Sequence, residues 1–367
     1  MTLQEIAEAS VVDVNDQSFT VEERFADPFD ILEFCSTLVS FRNADEDEER
    51  FWNDDWQQSS YIRRMRRMKR VHFAHFSVQQ YLLSSAAQDS ANPSFFTRDS
   101  LGHSHITQAC LIYLLDFNQG RRYIHKDLHQ FPFLGYAAVN WTIHLNKAES
   151  TDRDIIEELI KRLFDPENDI HLINFLNICD PSRGRYKLNY DESTKRNKDD
   201  FEPALYYAAH CGLATVVNFL LQRLDANSRG DHISAAIRGA VTGRHDELVE
   251  TLLSERPNYA SPFYGEALSE AVNAQNLVWV KKLLQARASA GGPLQCEPRQ
   301  TSILHRACNS GFPEGIRLLI DHGYDMHAEH RIFGTPLGAA LRHCRSDDSE
   351  NLNAVKVLVE KIGRAHV

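Results

Sequence analysis

One frame recurs through residues 200–361 and limits the folds open to this chain more than any other feature. An apolar residue leads, a small residue follows three later, a turn position comes four after that, and an apolar pair closes the unit eight and nine further on. The copies read Leu205, Ala208, Gly212, Leu220 and Leu221; Ile237, Ala240, Arg244, Leu252 and Leu253; Leu268, Ala271, Gln275, Leu283 and Leu284; Leu304, Ala307, Gly311, Leu319 and Ile320. A fifth, Leu337, Ala340, Cys344, Leu358 and Val359, carries extra residues around 345–351. The leading positions are 32, 31, 36 and 33 apart. Self-similarity at this period predicts stacked supersecondary units, each burying its apolar face on its neighbours. The frame itself predicts a helix, a tight turn and a second helix: the small residue admits a close neighbour and the turn position suits glycine.

Composition sets the class around this array. The 367 residues are 43% hydrophobic and 25% charged, as in an ordinary globular chain, and exceed one compact domain. Forty basic against fifty-one acidic side chains leave a net charge of −11, which disfavours nucleic acid and anionic lipid as overall partners. Seven cysteines (Cys35, Cys110, Cys179, Cys211, Cys296, Cys308, Cys344) form no C-x-x-C pair and are expected to be reduced. The opening MTLQEIAEASVVDV has no basic start or apolar run, and no apolar stretch is long enough to span a bilayer. A soluble, cytoplasmic protein with no membrane contact is expected.

Thr335-Pro336-Leu337 and Leu304-His305-Arg306-Ala307 resemble the T-P-L-H-x-A signature of ankyrin repeats. With the period, residues 201–361 look like about five ankyrin repeats, the second and third having Arg244 and Gln275 where that family prefers glycine. Residues 1–90 read as helix, helix, strand, loop, strand, helix, the order of a winged-helix unit. Its helix at 78–84 is expected to turn Val78, Tyr81 and Leu82 to one face, after a strand at 71–75. Residues 91–180 read as a helical linker region. One helix carries Ile106, Cys110 and Tyr113, a second Leu134, Ala138, Trp141 and Leu145, and a third Ile155, Ile156, Leu159 and Leu163. Residues 181–200, rich in charge, read as a charged linker into the array. The fold class expected is mainly α: winged-helix unit, helical linker and ankyrin solenoid.

The phrases TLQEIAEA, ADPFDILEFCSTLVSF, VHFAHFSVQQYLLS, CLIYLL and FPFLGYAAVNWTIH resemble, in this order, the region after the ATPase in fungal NACHT–ankyrin proteins of the STAND (NOD-like receptor) class. There the winged-helix part is named for its similarity to a GPI inositol-deacylase winged-helix domain. The resemblance implies an intracellular sensor, its repeats detecting a ligand and its winged helix relaying the event to a nucleotide-switched ATPase. No G-x-x-x-x-G-K-[ST] run is present, so no phosphate-cradling loop and no cofactor are expected here. The ATPase partner would come from an upstream part of the gene or a separate chain. The last six residues, IGRAHV, match one reading frame of a common sequencing adapter. Positions 362–367 are therefore expected to be artefactual, with the natural array continuing.

Candidate chemistry is sparse. Gly102-His103-Ser104-His105-Ile106 half-matches the G-x-S-x-G nucleophile elbow, but Ile106 replaces the second glycine and resists the strained turn. A helical Ser104 with no catalytic role is expected. His103 with His105, and His327 with His330, lack further ligands nearby for zinc, and His305 and Cys308 fall on inner-helix positions. The basic run at 63–70 (Arg63, Arg64, Arg66, Arg67, Lys69 and Arg70 among two methionines) allows nuclear import or a nucleic-acid-associated winged-helix adaptor as the alternative reading. The acidic residues upstream favour a solvated insert. What is left is protein binding by a non-catalytic module. On the concave face of the array the frame places inner-helix ends His210, Asn273, Asn309, Arg342 and His343. Loop tips Phe263, Tyr264, Arg299, Arg331 and Phe333 extend the same face.

Overall fold

A computed structural model describes residues 1–34, 38–42, 70–89, 98–117, 120–123, 126–148, 152–183, 196–289, 302–342 and 349–365. The chain is mainly helical and divides into two compact units, Met1–Phe201 and Glu202–Val367.

In the first unit α1 (Leu3–Ala9) opens on a capping box. Thr2 accepts from the Glu5 amide at 3.2 Å, and the Thr2 amide donates to the Glu5 carboxylate at 2.6 Å. A 3-10 turn (Pro28–Phe34) stands where the second helix is expected. Strands β1 (Val39–Arg42) and β2 (Arg70–Phe73) pair antiparallel, Val39 opposite Phe73 and Arg42 opposite Arg70. Then come α2 (Phe76–Leu82) and the short α3 (Ser85–Gln88). Helix α2 starts two residues earlier than the periodicity predicts, because the His75 ring accepts from the Ser77 amide and caps it there. It buries none of its residues, so the face of Val78, Tyr81 and Leu82 meets no core among the described residues. Most of the basic run, 63–69, lies outside the described residues.

The core of this unit is α4 (Asp99–Asp116), buried on every side from Thr107 to Leu115. A helix apolar all round belongs at the centre. Around it pack α6 (Leu134–Leu145), α7 (Arg153–Leu163) and α8 (Ile170–Ile178), with the one-turn α5 (Asp127–Gln130) leading into α6. The ring of Tyr113 meets Phe133 edge-on at 5.3 Å, and Trp141 meets Phe175 at 6.1 Å. Glu8 of α1 reaches this core. It accepts from the Tyr113 hydroxyl and pairs with Arg24, whose guanidinium sits 4.9 Å from the Phe131 ring. Arg196, within the charged linker read from the sequence, is buried. It pairs with Asp180 at 2.7 Å and lies 4.3 Å over Phe201, so the described end of that linker, 196–200, packs into the first unit.

A chain of polar groups joins α4 to α6. The Nδ1 atoms of His103 and His144 approach to 2.7 Å, and the other ring nitrogen of His144 meets the Tyr136 hydroxyl at 2.9 Å. Burial, then the neighbouring His103 and Lys147, hold His144 down to about 4. A histidine whose folded value lies below its unfolded value near 6.5 destabilises the fold as protons bind the unfolded chain preferentially. Stability is therefore full above pH 6.5 and falls as pH drops from 6.5 towards 4. The loss is on the order of 1–2 kcal/mol, since the ring is partly solvated. Urea midpoints measured across that range should fall in the wild type and fall less in His144→Phe.

The second unit is a stack of helix pairs: α9 (Ala204–His210) with α10 (Ala214–Leu221), α11 (Arg229–Gly243) with α12 (Asp246–Ser254), α13 (Pro262–Asn273) with α14 (Leu277–Ser289), α15 (Ile303–Asn309) with α16 (Pro313–Asp321), and α17 (Pro336–Arg342) with α18 (Ser349–Ala365). The first helix of each pair packs on that of the next, and α14, α16 and α18 also touch in order. All five small residues are buried completely, as are Ile237 and Leu304; Leu337 is only half-buried. The last helix does not end near Lys361 but runs through Ala365.

The turn positions explain how the weakly matching copies keep the same shape. Gly212 and Gly311 have φ of +73° and +64°; Arg244 and Gln275 have +63° and +50°. In each copy the next residue's amide bonds back to the carbonyl of the small alanine, at 2.9–3.1 Å. The non-glycine residues thus bear left-handed strain, about 1–2 kcal/mol each. After allowing for glycine's extra unfolded-state entropy, Arg244→Gly should stabilise the protein by about 0.5–1 kcal/mol. A urea melt checks this, and a loss of stability would contradict the turn geometry.

Candidate functional site

Because every described turn is built alike, the two residues before it recur at equivalent places along the stack. They are His210 and Cys211, Thr242 and Gly243, Asn273 and Ala274, Asn309 and Ser310, then Arg342. Thr242, Asn273, Ala274 and Arg342 are exposed; His210 and Asn309 are half-buried. Neighbouring turns are tied together. His245 reaches from the second turn to the His210 carbonyl at 3.1 Å, and Gln275 donates from the third to the Ser310 carbonyl at 2.7 Å. Gly212 is required beneath His245, whose ring fills the space of a Cβ.

Between the first three inner helices lies a polar ladder centred on Arg238. Its guanidinium pairs with Glu202 at 2.6 Å and with Glu266, and stands 4.6 Å from the Tyr206 ring and 5.6 Å from that of Phe263. The paired carboxylates raise Arg238 against the opposing effect of burial, so the cation is permanent. Phe263 is thereby anchored and half-buried, not a free loop tip. Tyr264 is also misplaced by the sequence reading: it is fully buried, and its hydroxyl donates to the Leu283 carbonyl at 2.8 Å. The cause is Pro262, which starts α13 early and brings both residues into its first turn.

Arg331 is exposed on the loop before α17, and Phe333 is half-buried against His330 at 5.1 Å. Arg342 lies 5.6 Å from the Phe333 ring and donates to the Ile332 carbonyl. Arg331 and Arg342, with Asn273, form the accessible part of the expected site. Arg299 and His343 lie outside the described residues.

The serine, histidine and cysteine candidates read from the sequence take structural places. Ser104 is buried inside α4, with no turn to lift it towards a substrate. His305 is buried and donates to the Gly334 carbonyl at 2.8 Å, and burial pushes the Cys308 thiol up to about 12. Among the described residues no three His, Cys, Asp or Glu side chains converge on a metal position, and no helix is long and apolar enough to cross a membrane.

A comparison with protein-family profiles returns no match. Azaphilone pigments biosynthesis cluster protein L of Monascus ruber is 27% identical over 267 residues, 70% of this chain and 52% of that protein. The chain thus spans about half the length of this relative. Among solved structures, the ankyrin repeat domain of human ASB11 is similar with a TM-score of 0.38 and 18% identity, over 72% of this chain and 96% of that one. Sequence reasoning missed Arg238 and its two carboxylates. The signal was available, since Glu202, Tyr206, Arg238, Phe263 and Glu266 recur near the start of successive copies, but no single copy contains the pairing.

Proposed function

We propose that this chain is a non-catalytic protein-binding module whose second unit receives a protein partner along the row of inner-helix ends. The recurrence of the row along the stack carries this reading: Thr242, Asn273 and Arg342 stand exposed at the ends of inner helices seated by buried alanines, and Arg331 is exposed on the loop before α17. Preorganised surfaces bind with less ordering cost, and exposed arginines beside polar groups suit protein contact. The first unit, with its buried Glu8–Tyr113–Arg24 tie, would act as the relay. The phrases shared with fungal NACHT–ankyrin proteins support an intracellular receptor-like role. In it, partner binding alters how the first unit meets an ATPase supplied by another segment or chain. The triple variant Asn273→Ala, Arg331→Ala, Arg342→Ala should weaken capture of the partner by about tenfold or more while leaving the melting temperature unchanged. Val278→Ala, on the outer helix α14, should leave capture intact. Equal capture by the triple variant and the wild type would reject the reading.

A further inference from the structure

The loop before α17 closes on itself at residues 330–334. The His330 amide donates to the Gly334 carbonyl and the Gly334 amide to the His330 carbonyl, both at 2.8 Å, with Gly334 at φ +67°. Inside this loop the Nδ1 atom of His330 accepts from two backbone amides, Ile332 at 3.2 Å and Phe333 at 3.3 Å. That nitrogen must therefore present its lone pair, leaving the ring proton on Nε2. The preceding inner helix contributes His305, which donates to the Gly334 carbonyl and whose ring lies 5.6 Å from that of His330. Helix α17 contributes Arg342, which holds the Ile332 carbonyl. The loop thus presents Arg331 and Ile332, the latter 60% exposed, on the face assigned above to a partner.

We propose that His330 is a proton-operated catch: with Nδ1 unprotonated it holds the loop closed and ready for a partner, and a proton on Nδ1 releases it. Protonation would turn the acceptor of two amide bonds into a donor facing two N–H dipoles. The new charge would also stand beside His305 and near Arg331 and Arg342, with Glu329 the adjacent carboxylate and His327 and Asp325 earlier in the loop. Burial holds His305 below the ordinary imidazole range, and its Nε2 donates to the Gly334 carbonyl. Imidazole is the side chain suited to switching near physiological pH. Control of partner binding rests on the reading of this face as a protein-binding surface; the catch itself does not.

Hydrogen exchange of the full chain at pH 7.5 and 5.5, corrected for the intrinsic pH dependence of exchange, tests it. Loss of two amide bonds should lower protection of the peptide covering 329–335 about tenfold at pH 5.5, with helices α9 to α11 unchanged. In His330→Asp a carboxylate keeps the acceptor without titrating in this window, and the drop should vanish. Nitrogen-15 NMR of the wild-type imidazoles supplies a second reading that needs no variant: the Nδ1 of His330 should carry no proton at pH 7.5, where the loop is closed. Unchanged protection in the wild type, an equal drop in both proteins, or a proton on Nδ1 at pH 7.5 would overturn the proposal. A loop that responds to pH as described, on a face that binds no protein, would keep the catch and reject only the partner reading.

Discussion

Leu284→Ala should lower the unfolding free energy by about 2–5 kcal/mol, the usual cost of truncating a core leucine. Leu284 is fully buried on α14, which packs against α13 in its own pair and α16 in the next. A stack held by nearest-neighbour interfaces transmits such a defect to the following units, so the fourth and fifth pairs should lose hydrogen-exchange protection along with the third. The third copy matches the repeat frame weakly at its turn, where Gln275 replaces glycine. The substitution therefore asks whether its apolar pair is nonetheless structural. A urea-measured loss below about 0.5 kcal/mol, the range of surface changes, would contradict the frame.

Gly239→Ala should cost about 1–3 kcal/mol by overpacking, although alanine ordinarily favours a helix. A Cβ there would overlap the Tyr206 carbonyl oxygen and stand 3.2 Å from the His210 nitrogen. Both are backbone atoms that no rotamer change can move, so α9 and α11 would have to separate and strain the Arg238 ladder between them. Gly363→Ala is the internal control. It sits in α18 with open space around it, and helix propensity alone should make it neutral or stabilising by up to about 1 kcal/mol. Thermal melts of the two variants should therefore shift in opposite directions or differ by several degrees.

Much of the stack was legible because its signals are local and repeated. Leu205, Ala208 and Gly212 each report on one position of one turn, and repetition separates them from chance. Even the mismatched Arg244 and Gln275 adopt the glycine backbone, because the neighbouring pairs impose it. The chemistry on the stack was less legible, because it depends on pairs of residues some thirty positions apart. Arg238 needs both Glu202 and Glu266, and Tyr264 is buried only because Pro262 moves the start of a helix. In the first unit, Glu8 and Arg196 look like solvated charges until Tyr113 and Asp180 are seen beside them. Helix α8 was missed for a different reason. Its apolar residues lie on every side, as befits a buried helix, so no periodicity marks it.

Site-specific photocrosslinking tests the protein-binding account most directly. A photoreactive residue placed at Asn273 or Arg342 should form a discrete adduct with a partner, competed by excess unlabelled protein. The same group at Val278, on the outer helix, should form none. Adducts confined to Val278, or no competed adduct at either inner-helix position, would contradict the account.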